Sequence, residues 1–137
     1  LSLNSFTVAV RDASEIERAI DNIAQDSATG LLVPPDATTY VHSDLIVRST
    51  VERKVPAIYS QRSFVTAGGL VSYGVDTVDL FHQAAVYVDR ILRGAKPRDL
   101  PVQAPTKFEL VINGKAARAL GITVPLSLLA RADDVIE

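Results

Sequence analysis

The chain has 137 residues, of which 47% are hydrophobic and 22% charged, with a formal net charge of −2. That balance fits a folded domain and argues against disorder. The fourteen Lys and Arg are scattered, so no basic stripe marks a nucleic-acid partner, and no apolar run approaches the roughly 18–20 residues of a membrane-spanning helix. With no cysteine, disulfides, thiolate metal sites and cysteine nucleophiles are excluded together. There is no methionine either, which reads as a processed or excised piece of a longer product.

In chain order, Phe6–Val10 is the first apolar run with strand character. Ser14 and Glu17 are spaced as a capping box, with Ser14 as N-cap and Glu17 at the third helical position. Ile16, Ala19, Ile20, Ile23 and Ala24 then mark one helix face. Gly30–Pro34 is apolar throughout, as in a parallel strand covered on both faces. A helix follows from about Thr39 to Arg53, with Val41, Leu45 and Ile46 turned inward. Val55–Tyr59 is the third run and Leu70–Tyr73 the fourth.

The helix after Tyr73 has the cleanest pattern. Leu80, Phe81, Ala84, Ala85, Val88, Ile91 and Leu92 form one stripe, Asp76 or Thr77 caps its start, and Gly94 and Pro97 stop it. Lys96–Pro105 is an extended, proline-rich connector. Phe108–Ile112 reads as a fifth strand, and Asn113 caps a short helix, Gly114–Leu120. Pro125 starts a last turn through Leu129, and Asp133, Asp134 and Glu137 read as a solvated tail. Strands alternating with helices imply an α/β domain with a mostly parallel sheet and flanking helices.

In such sheets ligands bind beyond the carboxyl ends of the strands. Three loops lie there. In Pro34–Thr39, Asp36 and Thr38 either meet a ligand beside free helical N–H groups or simply cap a turn, and the residue types favour the cap. In Ser60–Ser63, Arg62 offers a fork for a carboxylate or is a solvated side chain, the plainer reading again being favoured. In Ser72–Asp76 the readings balance. Tyr73 stacks on a ring or is half buried, Gly74 admits a ligand to the backbone, and Asp76 binds a cation or caps the helix. His42 and His82 have no metal-pair spacing, and no Ser-His-Asp constellation or phosphate loop occurs. The residues alone therefore read as a binding domain, not an enzyme, with no metal and no cofactor.

"AGGLVSYG", "AAVYVDRILRGAKPRDLPV", and "PTKFELVIN" followed by "LGITVP" occur here in one order and spacing. With "GLLVPPDATT" upstream, they make the chain resemble ABC-transporter substrate-binding proteins of the tryptophan/tyrosine-binding type. Members of that family are longer, and the likeness is to their C-terminal half. The resemblance implies a two-lobed type I periplasmic-binding-protein fold. Residues 1–68 would belong to the C-terminal lobe, 69–106 would cross into the N-terminal lobe, and 107–137 would return. It implies capture of a small molecule, such as an amino acid, and delivery to a membrane permease. The setting would be periplasmic or membrane-anchored extracytoplasmic, with a signal peptide in the parent. A ligand-sensing module of a regulator or receptor is the alternative. Asp36, Thr38, Ser72, Tyr73, Gly74 and Asp76 are carried over as ligand-facing, with Arg62 beside them.

Leaving the stripe Leu80–Leu92 in water would forgo about 1.5–3 kcal/mol per side chain, against a net domain stability of roughly 5–15 kcal/mol. The expectation is that the isolated chain buries this helix, residues 77–93, against a second copy.

Overall fold

The computed structural model describes residues 4–137. In chain order the elements are α1 (Ala13–Ile23), β1 (Leu31–Val33), α2 (Ala37–Val41), α3 (Ser43–Glu52), β2 (Ala57–Tyr59), α4 (Arg62–Thr66) and β3 (Val71–Val75). Then come α5 (Thr77–Leu92), a 3₁₀ turn at Pro97–Asp99, β4 (Phe108–Asn113), α6 (Gly114–Ala119), α7 (Leu126–Leu129) and β5 (Asp134–Ile136). The five strands form one sheet in sequence order, every neighbour parallel except β3 with β4. The fold is thus α/β with a mostly parallel sheet, as the alternating pattern implies.

Two adjacent rows of residues cross the whole sheet and face opposite ways, because strand side chains alternate. Val33, Tyr59, Ser72, Val111 and Asp134 form one row. Its first four members are buried. Ile16, Ile20, Ile46, Val47 and Phe64 join Val33 and Tyr59 in the core, so α1, α3 and α4 cover this face. Leu32, Ile58, Val71, Ile112 and Val135 form the other row. Ile112 is buried, whereas Leu32 is 70% exposed and Ile58 47%. That second face is apolar and largely open.

Several expectations are corrected. Phe6–Val10 is not a strand: among the described residues no segment pairs with it, Phe6 and Val8 are exposed, and a strand without a partner has no ladder to join. The N-cap of α1 is Asp12, not Ser14. Asp12 Oδ1 accepts the Glu15 N–H at 2.9 Å and the Ser14 hydroxyl at 2.8 Å, while Glu15 Oε2 accepts the Arg11 N–H at 2.8 Å. The helix expected over 39–53 is two helices, broken at His42 (φ −102°, ψ 22°), and Val41 points outward. The supposed acidic tail contains β5, which pairs in parallel with β4.

Helix α5 runs its full pattern with Asp76 as N-cap and Gly94 at positive φ after its last turn, yet it buries no residue. Its stripe is exposed from Leu80 through Leu92. Among the described residues no helix is long and apolar enough to cross a membrane.

Candidate functional site

At the carboxyl ends of β2 and β3 lies an open cleft of about 110 Å³, formed by Ser60, Arg62, Gly74, Asp76 and Glu109, with Val75, Thr77 and Val78 at its rim. Local chemistry explains each position. β2 ends at Tyr59, so Ser60 is the first residue past the strand, and Arg62 opens α4, a segment expected to be a loop. The Gln61 N-cap makes no side-chain cap bond, so the start of α4 carries no sequence signal. Gly74 faces Glu109 across the antiparallel ladder.

Gly74 is required for a reason other than ligand approach. A Cβ there would stand 1.8 Å from the Ser60 carbonyl oxygen, so the strand end of β2 passes directly over it. Only glycine permits that crossing, which brings Ser60 and Arg62 over the end of β3.

Arg62 is already engaged. Its Nη1 donates to Glu109 Oε1 and its Nη2 to Asp134 Oδ2, tying α4 to β4 and β5. The hydrogen bonds to Asp134 and then Glu109 hold its guanidinium even further from deprotonation than usual. The fork expected to meet a ligand carboxylate is therefore filled by two carboxylates of the chain itself. Asp76 is also engaged. Oδ1 accepts the Asp79 N–H at 3.0 Å and Oδ2 accepts from Lys107 Nζ at 2.8 Å. The Lys107 contact, then the Asp79 N–H, hold its carboxyl below the usual range.

The other expected residues sit elsewhere. Asp36 caps α2, its Oδ1 accepting the N–H groups of Thr38 at 2.8 Å and Thr39 at 3.3 Å. Asp36 and Thr38 follow β1, on the same edge of the sheet as the cleft but beyond β2. Ser72 is buried in the covered row. Tyr73 alternates to the open face, where its ring stacks on Phe108 at a centroid distance of 5.8 Å. Arg62, Gly74 and Asp76 thus converge, while Asp36, Thr38, Ser72 and Tyr73 do not line this cleft.

Ser60, Glu109, Asp134 and Lys107 complete the arrangement without having been singled out. Glu109 carried a signal. Alternation in Phe108–Ile112 puts it on the face of Val111, and a carboxylate on a covered face calls for a cation nearby. A second, larger groove of about 480 Å³ runs along the flank of α3 beside Val47, Arg48, Val51 and Gly68 and shares no lining residue with the cleft. Among the described residues no cluster of three or more His, Asp or Glu is arranged to hold a metal.

An α/β domain with a cleft at the carboxyl ends of parallel strands, bearing Ser60, Arg62, Asp76 and Glu109, is the framework of a small-molecule binder. The sequence matches the family model for ABC transporter substrate binding proteins over residues 1–136, and the chain belongs to that family. A tyrosine-binding protein of Clostridioides difficile (strain R20291) is 27% identical over 111 residues, 81% of this chain and 32% of that protein. An uncharacterized protein of Rickettsia prowazekii is 22% identical over 115 residues, 84% of this chain and 38% of that one. Among solved structures, a conserved domain protein from Vibrio cholerae superposes with TM-score 0.79 at 31% identity, over 90% of this chain and 41% of its own. An ABC domain from Streptococcus pneumonia in complex with L-Trp gives TM-score 0.78 at 34% identity, again over 90% and 41%. The chain spans about a third to two fifths of the length of these relatives.

Proposed function

We propose that this chain is the C-terminal half of the solute-binding component of an ABC importer, and that it contributes one wall of a cleft between two lobes. The observation that carries the reading is the convergence of Ser60, Arg62, Gly74, Asp76 and Glu109 at the strand ends. Small-molecule pockets run to about 300–1,000 Å³, so a cleft of about 110 Å³ is the size of a portion of one. The remaining wall would come from the other lobe, which residues 69–106 would enter and 107–137 would leave. Asp36 and Thr38, on the same edge of the sheet, would form its outer lip. Ser72 and Tyr73 would support the cleft from β3.

The cargo we propose is an amino acid, with L-tryptophan and L-tyrosine first to be tried because relatives carry those names. Capture would be followed by docking on a membrane permease outside the cytoplasm, and no bond would be made or broken. Taken alone, the chain would cover the stripe of α5 with a second copy.

The test is a thermal-shift series on a family-length protein carrying this sequence, against the amino acids and small aromatic carboxylates. A ligand at a hundred times its Kd adds about 2.7 kcal/mol of stability, which raises the melting temperature by several degrees. No shift with any member of the set would remove the reading.

A further inference from the structure

Residues 76–107 leave the sheet and return to it at a single joint. β3 ends at Val75, β4 begins at Phe108, and these two residues are antiparallel partners. The excursion between them holds α5, the 3₁₀ turn and the extended connector, and no residue of α5 is buried. Tyr87 donates its hydroxyl to the Pro101 carbonyl at 2.6 Å, which ties the helix to its own connector. The excursion is an arm, and its attitude is set at its base.

Asp76 makes three ties at that base. Its N–H donates to the Lys107 carbonyl at 3.0 Å. One carboxylate oxygen accepts the Asp79 N–H and so starts α5, and the other accepts from Lys107 Nζ. A helix cap needs only the first of these side-chain bonds. The second joins the outgoing passage to the returning one. With its side chain 19% exposed, Asp76 is partly sheltered, whereas Lys107 is 64% exposed and free to leave.

We propose that Asp76 and Lys107 form a clasp at the pivot of the arm, fixing the angle at which α5 leaves the sheet. Released, the arm swings about the Val75–Phe108 joint. The clasp stands on the geometry of this chain alone. Where the two-lobed reading holds, it sits on the passages between lobes and biases their opening and closing. Asp76 and Lys107 are positioning residues in that case.

The chain has no cysteine, so spin labels go only where they are placed. Arg48→Cys on α3 and Arg90→Cys on α5 are both exposed and report the arm against the body by pulsed dipolar spectroscopy. Dilution with unlabelled chain removes signals between copies. Lys107→Met keeps the aliphatic stem, and Asp76→Asn keeps the cap, so each removes the ion pair while leaving α5 intact by circular dichroism. Each single change should broaden the distance distribution about twofold or shift its mean. The double change should do no more than either alone, the mark of a shared pair. Singles that match the parent, or a double that broadens as the sum of the two, overturn the clasp. Ligand titration of the family-length protein tests the solute-binding reading separately, and that reading survives a failure here.

Discussion

Phe64 and Phe81 sit in consecutive helices, and the first is 2% exposed while the second is 71% exposed. Phe64 lies in α4, over β3 and β4, with its ring stacked on Tyr59 at 4.9 Å. Phe81 lies in α5, on the exposed apolar stripe of a helix that buries no residue. Helical periodicity tells which side chains share a face. What covers that face is decided by the rest of the chain, and here the two helices part company.

Truncating both rings separates the two helices by the largest margin. Phe64→Ala should cost about 3–5 kcal/mol, as for a buried aromatic, and Phe81→Ala should stay within about 0.5 kcal/mol at dilutions that keep copies apart, as for a surface position. Urea unfolding of the chain measures both. A loss at Phe81 that appears only as concentration rises would mark the pairing of two copies, and a comparable loss at high dilution would mean that α5 is covered by its own chain.

Gly74→Ala tests whether the body reaches up to the joint. Its Cβ would force the Ser60 carbonyl away, at a cost of about 1–3 kcal/mol for overpacking. The same variant would disturb the cleft, so any ligand affinity should fall with stability. A neutral outcome would mean that β2 and β3 separate easily at this end.

The smallest effect concerns the buried phenol. Thr50 Oγ1 donates to the Val47 carbonyl at 2.9 Å, so the 2.8 Å contact between Thr50 and Tyr59 is a donation from the Tyr59 hydroxyl. Burial pushes the Tyr59 hydroxyl above its ordinary value. The folded state therefore holds this proton more tightly than the unfolded chain does. Its stabilisation is complete below about pH 10, the unfolded value, and is lost as pH rises through the higher folded value. Tyr59→Phe should cost about 0.5–1.5 kcal/mol at neutral pH and should flatten that alkaline decline. An equally steep decline in the variant would assign it to other groups.

Much of this was legible in the sequence because it is local. The stripes of α1 and α5 and the apolar runs of β1 to β4 all follow from neighbours within a few residues. Two overlapping cap frames, Asp12 to Glu15 and Ser14 to Glu17, obscured the start of α1, and the earlier frame holds. Phe6–Val10 failed as a strand because pairing is not a local property. β5 escaped notice because three residues beginning with Asp134 carry little pattern. The cleft was half legible. Arg62, Gly74 and Asp76 were in view, but the partners of Arg62 lie 47 and 72 residues further along the chain. Tyr73 falls outside the cleft because its neighbours Ser72 and Gly74 take the covered face, and alternation sends it to the other.

The antiparallel pairing of Val75 with Phe108 has one more consequence. Topologically, the strands on either side form a hairpin whose loop happens to be thirty-odd residues long. Ends that meet this closely act as a port, through which a segment is spliced in or cut out without re-registering its surroundings. A tight turn substituted for residues 77–106 should leave the five-stranded unit standing, a compact piece of architecture freed of its appendage.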